Sequence, residues 1–413
     1  MMSERVVITG MGAVSPLGLS AGESWQNALA GVSGIGPITQ FDTADFLVKV
    51  AGEVKNFDPT NYIPARDARR QDRFEQFAVV AAKEAVEQAG LAVTEVNRER
   101  VGVIISSAIG GLGSLEEGSR ILIESGPRRV SPFLIPMLMP NGGAGLTAIE
   151  YGFQGPAFSV ASACASGADG IGVAWMMLKL GMIDVAVTGA SESTIAPVGV
   201  AAFDRLGAMS RRGVGEITPQ PFDKERDGLV MGEGAAVLVM ERESHAHKRG
   251  AQIFAEFGGY GSTSDAYHIT APAADGAGGA RAMRLAMESA LVNPDEISYI
   301  SAHGTATPLN DVAETQAIKA AFGDLAYNIP VSSTKSMTGH MMGATGALEA
   351  LFCVRAVSEN LLPPTINYHT PDPECDLDYI PNQAREAPVE IAISNAFGFG
   401  GHNAVLLIKK YRG

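Results

Sequence analysis

Short apolar runs alternate with helix-periodic segments along this chain. "RVVITG" (5–10) and "RVGVIISS" (100–107) are compact β-branched stretches that predict buried strands. "RFEQFAVVAAKEAVEQAG" (73–90) repeats its apolar positions at helical spacing and predicts a helix closed by Gly90. Strands recur at "DVAVTGA" and "GAAVLVME", and the alternation predicts an α/β protein with a largely parallel sheet. After "ESHAHKRGA" the pattern restarts: "IFAEFGGYGSTSD", a helix in "GARAMRLAMESAL", then a strand in "ISYISAHGT". This echo predicts two similar α/β halves, 1–250 and 251–413. No low-complexity tract separates them, so they are expected to pack as one body.

Composition agrees with a large folded core. The 413 residues exceed the roughly 250–300 at which a single core stops growing. Apolar residues make up 46% and charged residues 18%, which excludes a disordered chain. A net charge of −14 argues against a nucleic-acid binder while leaving room for a local basic patch. The windows 130–149 and 151–168 lack charge, but Gly, Pro, Ser or Asn break both, so no membrane span is expected. The N-terminal stretch has no apolar run of signal-peptide length, and the three cysteines match neither a disulfide framework nor a zinc spacing. A reducing, cytoplasmic location is the expectation.

One of those cysteines stands apart. Cys164, in "SVASACASGADGIGV", lies where the strand-like "AFSVAS" gives way to the helical "GADGIGVAWMMLKLG". A thiol at a helix N-terminus meets the positive end of the dipole, which favours the thiolate. Small neighbours leave room for substrate, although a lone Cys fits a small buried hydrophobe equally well. Cys353 sits in an apolar helical stripe and Cys375 in a Pro- and Asp-rich loop, and neither competes. Among seven histidines, His303 and His340 occupy Gly/Ser/Thr-rich junctions of the kind that mount functional groups. Taken singly, each also fits a structural histidine. His245, His247 and His369 belong to charged or Pro-flanked surface segments. "NAFGFGGHNAVLLI" sets glycines around Phe399, where a backbone N–H can face a reacting group.

These pieces stand together in one order: "ITGMGAVSPLG", "RDARRQDRF", "ASACASG", "PFDKERDG", "STSDAYHIT", "AHGTATP", "SSTKSMTGH" and "FGFGGHN". The whole chain resembles a β-ketoacyl-acyl carrier protein synthase, most closely the type II enzymes of fatty-acid elongation. The resemblance implies a thiolase-like fold, two related α/β halves in αβαβα layers, and a homodimer. It implies Cys164 as acyl-accepting nucleophile, His303 and His340 as the paired histidines, and Lys335 as the nearby lysine with Glu349 as partner. Backbone N–H groups of Cys164 and Phe399 would form the oxyanion hole, with the Phe399 ring as a gate. Thr305 and Thr307 would hold the phosphopantetheine arm around Ala306, where many relatives carry Ser.

The second histidine, in "MTGH", matches elongating rather than priming enzymes, which pair Cys with His and Asn. Ile109 matches a bulky acyl-pocket residue of type II members. The partner implied is acyl carrier protein, an acidic molecule. Arg66, Arg69, Arg70 and Arg73 in "RDARRQDR" stand at the spacing of one helical face, and Arg128 with Arg129 adds a second basic pair. Gly207 replaces a further docking arginine, with Arg205 nearby, and His402 replaces a common Thr. No cofactor and no catalytic metal are implied, though some relatives bind a structural monovalent cation. The rivals are a specialised ketosynthase of polyketide or modified-acyl synthesis, a thiolase-type enzyme lacking the paired histidines, and a non-catalytic chain-length partner, which retention of Cys164 opposes.

Overall fold

The computed structural model describes residues 4–92 and 97–413. Its frame is one ten-stranded mixed sheet built of β1 (Val6–Val14), β2 (Val101–Ser106), β3 (Ala157–Phe158), β4 (Val185–Glu192), β5 (Gly234–Arg242), β6 (Ala255–Ser264), β7 (Tyr299–Ser301), β8 (Val331–Ser332), β9 (Ile391–Gly398) and β10 (His402–Lys410). The order across the sheet is β8-β7-β9-β10-β6-β1-β5-β4-β2-β3. Followed outward from the β1/β6 seam, β1-β5-β4-β2-β3 and β6-β10-β9-β7-β8 trace one topology twice. The seam itself is short, with Val6, Val7 and Ile8 opposite Phe257, Glu256 and Ala255.

The largely parallel sheet expected from the alternation is not what forms. β2 pairs in parallel with β3 and β4, and β7 with β8 and β9, but β5 and β10 run antiparallel to their neighbours. A tight turn joins β9 to β10, and a connection that short permits only antiparallel pairing. Burial alone does not reveal direction, because both faces of this sheet are covered by helices.

Five layers result. On the outer face of the β1 half lie α1 (Arg73–Ala89) and α2 (Gly142–Tyr151). Between the two halves of the sheet lie α3 (Ser166–Lys179) and α6 (Thr345–Glu359), and on the far face α4 (Ala277–Ala290) and α5 (Pro308–Phe322). This is the αβαβα layering that the resemblance implies. Helix α1 is specified at both ends. Asp72 caps it reciprocally with Glu75, and Gly90 ends it in the left-handed conformation. Its Phe74, Phe77, Ala81, Ala85 and Ala89 form the buried stripe that the sequence period predicts. The largest apolar cluster surrounds α3 and α6, which are sandwiched on both sides and rich in small residues. Among the described residues, no helix is long and apolar enough to cross a membrane.

Candidate active site

The segment between β3 and α3 carries Cys164 to the N-terminal end of a central helix. Ala163 takes φ +52, a left-handed conformation that a non-glycine residue rarely adopts and that often marks functional turns. Gly398, the last residue of β9, packs directly on this turn. A Cβ there would lie 2.8 Å from the Ser162 carbonyl oxygen and 3.1 Å from the Cys164 nitrogen. The backbone N–H groups of Phe399 and of Cys164 itself face the sulfur. Burial nevertheless pushes the thiol up to about 11, with Glu192 adding to the rise and Phe399 and Lys335 opposing it. The thiolate expected at a helix N-terminus is therefore opposed by desolvation, the largest influence on this thiol.

The two histidines come from the other half and share the cavity with Cys164. His303 lies just beyond β7 and His340 before α6, with ring centroids 5.3 Å apart and planes at 85°. Burial, then the Lys335 charge, push both imidazoles well below their ordinary range, so they are neutral. His340 Nδ1 lies 3.1 Å from Thr345 Oγ1, whereas His303 Nδ1 is buried without a hydrogen-bond partner. Glu314 on α5 holds the His303 loop. Its oxygens accept from the backbone N–H of His303 at 2.8 Å and of Gly304 at 2.7 Å, and from Asn395 Nδ2 at 3.0 Å. Desolvation pushes Glu314 up to about 6 despite these donors.

Lys335 and Glu349 form a buried ion pair, Nζ to Oε1 at 2.6 Å, with each side chain 1% exposed. Burial raises Glu349 to about 7 against the pull of Lys335. Thr305 and Thr307 meet hydroxyl to hydroxyl at 2.9 Å and line a cavity of about 340 Å³ together with Cys164, His303, His340 and Phe399. The Phe399 ring stacks on Phe203 at 6.3 Å. Ile109 does not line this cavity; it is half-buried, and its N–H lies 3.3 Å from Glu192 Oε1.

Sequence reasoning missed Glu314, Glu192 and Phe203. Only Glu314 left a signal, since Asp311, Glu314 and Ile318 fall on one face of α5, where a carboxylate beside a core position needs donors. The basic segment also departs from expectation. A short helix, Ala65–Ala68, stops before α1 begins, so Arg66, Arg69, Arg70 and Arg73 do not share one helical face. The cause is the Asp72 cap, which opens a new helix at Arg73. Arg73 turns inward to pair with Glu233 at 2.7 Å, and Arg70 lies 4.6 Å over the Phe133 ring. Arg66, Arg69, Arg70, Arg128, Arg129, Arg205 and His402 are exposed. Cys353 and Cys375 are buried away from the cavity, and burial lifts the Cys375 thiol to about 12.

A thiol that shares its cavity with two uncharged imidazoles, in a five-layered fold with a doubled topology, marks a thiolase-like acyltransferase. The comparison with known families narrows that class. The family model described as Beta-ketoacyl synthase, N-terminal domain, matches residues 3–246, and its C-terminal counterpart matches residues 254–369. The chain belongs to the β-ketoacyl synthase family. It is 48% identical over 410 residues to a 3-oxoacyl-[acyl-carrier-protein] synthase 2 of Synechocystis sp., with 99% of each chain covered. It is 49% identical over 409 residues to the enzyme of that name from Staphylococcus aureus, again with 99% of each covered. A solved β-ketoacyl synthase from Burkholderia phymatum superposes with TM-score 0.91 at 37% identity, covering 99% of this chain and all of that one. A ketosynthase described as complexed with its type II PKS acyl-carrier protein superposes with TM-score 0.92 at 34% identity, covering both chains fully.

Proposed function

We propose that this synthase elongates acyl chains held on acyl carrier protein by decarboxylative Claisen condensation through an acyl thioester on Cys164. The observation that carries the reading is the pair of neutral imidazoles on the Cys164 cavity. Cys164 attacks the incoming acyl thioester while a neutral imidazole takes the thiol proton and then gives it to the departing carrier sulfur, which leaves as a thiol. The N–H groups of Cys164 and Phe399 hold the tetrahedral oxyanion, and each such donor is worth about 2.7–4 kcal/mol of barrier. The malonyl thioester then loses carbon dioxide. His303 and His340 stabilise its enolate as N–H donors, which requires the uncharged imidazole to present its proton inward. For His340 this means that the Thr345 hydroxyl, 3.1 Å from Nδ1, acts as the donor and the ring proton sits on Nε2. The enolate carbon attacks the acyl carbonyl, a 3-oxoacyl thioester forms, and Cys164 leaves as a thiolate that takes one proton from solvent to restore the thiol. Holding the two reactants side by side contributes roughly 7–11 kcal/mol.

Lys335 supports the site through its positive charge, which adds to burial in keeping both histidines neutral, and Glu349 fixes the lysine. Thr305 and Thr307 are placed to hydrogen-bond a phosphopantetheine arm entering the cavity. The carrier docks on the exposed Arg66, Arg69, Arg70, Arg128 and Arg129. The working unit is a homodimer, supported by the apolar exposure of Ile123, Ile135, Ile149 and Leu180 on the half that ends in edge strand β3. Residues 1–250 and 251–413 are the two thiolase-like halves, and a cytoplasmic location fits three free cysteines. Fatty-acid elongation is favoured over polyketide synthesis by the closer identity to the synthase 2 enzymes than to the polyketide ketosynthase. Incubation with acyl- and malonyl-carrier thioesters should yield the 3-oxoacyl product and one carbon dioxide per condensation. Malonyl loss without a new carbon–carbon bond would overturn the reading.

A further inference from the structure

The two N–H groups that face the Cys164 sulfur come from opposite halves of the molecule. One precedes α3 and the other follows β9. An oxyanion site divided in this way needs its two donors held to about 0.5 Å. A chain of side-chain hydrogen bonds crosses the same boundary. Tyr260, on β6, donates its hydroxyl to Asp169 Oδ1 at 2.5 Å, and Asp169 Oδ2 accepts from Ser162 Oγ at 2.5 Å. The Ser162 N–H donates to Ser166 Oγ at 2.9 Å, and that hydroxyl donates to the Ala163 carbonyl at 2.6 Å. The strained Ala163 is thereby bracketed by bonded groups.

Asp169 grips this turn from α3 through Ser162, while Gly398, next to Phe399, packs against its backbone. Helix α3 is also shaped to receive the tyrosine. Gly172 lies three residues after Asp169, and a Cβ there would come within 2.4 Å of the Tyr260 ring. Burial, followed by the Asp169 charge, pushes the Tyr260 hydroxyl above its ordinary range and keeps it a donor. Neither Tyr260 nor Asp169 lines the cavity, so neither touches substrate.

We propose that Tyr260 is a positioning residue that, acting through Asp169 and Ser162, holds the Cys164 N–H in register with the Phe399 N–H and thereby sets the oxyanion site. This rests on Cys164 being the acyl acceptor. The network then serves the steps that pass through a tetrahedral oxyanion. It does not serve enolate formation at His303 and His340, or simple alkylation of the sulfur.

The test uses the full-length protein and three rates: acylation of Cys164 by an acyl-carrier thioester, followed by intact mass; malonyl decarboxylation; and alkylation of Cys164 by iodoacetamide. In Tyr260→Phe, acylation should fall about tenfold while the other two rates stay within about twofold. Asp169→Ala should match that loss. Asp169→Asn, which can still accept from Tyr260 and bond Ser162, should recover most of it. Combining Tyr260→Phe with Asp169→Ala should add little, since both break one network. Unchanged acylation in Tyr260→Phe, or an equal fall in all three rates, would overturn the proposal. Acyl mass mapped to another residue of the parent protein would instead overturn the Cys164 assignment before any variant is compared.

Discussion

Helices α3 and α6 occupy matching places in the repeated topology, yet the turns that lead into them do different work. Both turns hold a non-glycine residue in the left-handed region three positions before the helix: Ala163 at φ +52 and Met342 at φ +46. The next residue is Cys164 in one half and Gly343 in the other. Each meets the last residue of the central strand across the molecule. Gly398 of β9 packs on Cys164, and Glu192 of β4 accepts from the Gly343 N–H at 3.1 Å. A Cβ on Gly343 would stand 2.8 Å from Glu192 Oε2 and 2.9 Å from the Ala108 nitrogen. One copy of the turn thus keeps an open sulfur facing a cavity, while the other is filled by a carboxylate and supports His340. The repeated topology thus presents two equivalent helix ends, and the carboxylate that fills one of them leaves only the other open to a cavity.

Removing the sulfur breaks the comparison most severely. Cys164→Ala should lower condensation by on the order of 10³-fold or more, while thermal unfolding barely moves. Next come the histidines: His303→Ala or His340→Ala should slow malonyl decarboxylation by about 100-fold, as expected for one lost donor, and slow acyl loading of Cys164 far less, because the remaining imidazole can still take the thiol proton. Normal decarboxylation in both variants would remove the imidazoles from the enolate step. Because both groups sit well below their ordinary range, decarboxylation should hold constant as pH falls through about 6.5. A loss centred there would mean that the buried rings titrate normally.

The two glycines sharpen the contrast. Gly398→Ala should depress acyl loading about tenfold with modest loss of stability, because its Cβ pushes on the nucleophile turn. Gly343→Ala should cost about 1–3 kcal/mol in a denaturant titration, because its neighbours are a buried carboxylate and backbone. Equal effects of the two on loading would erase the distinction drawn between the turns. The smallest effect concerns the surface. Charge reversal at Arg69 and Arg70 should weaken carrier-borne substrates several-fold, less so at high salt, and spare small thioesters.

Much of this was legible from local pattern. The strands β1, β2, β4 and β5 and the capped α1 follow from period and turn chemistry. Cys164, His303, His340, Lys335 and Glu349 stand in motifs that could be recognised before any contact was known. What stayed hidden depends on contacts between segments distant in the chain. The helix period hints at Glu314 but not at the His303 loop it reaches back to, and Tyr260 meets Asp169 across the two halves. The direction of β5 and β10 cannot be read from their apolar runs. The basic segment misled because helical spacing of four arginines said nothing of the Asp72 cap that interrupts them.

Access to the cavity shared with His303 and His340 singles out Cys164 among three buried cysteines as the acyl acceptor, and burial leaves it a thiol at rest. One experiment addresses both parts: acylation by an acyl-carrier thioester with peptide mapping, run beside iodoacetamide alkylation across pH. With the thiol held at about 11, alkylation should rise about tenfold per pH unit between about 7 and 9 without a plateau, and the acyl group should map to Cys164 alone. An alkylation plateau near neutrality, or acyl label on Cys353 or Cys375, would contradict it.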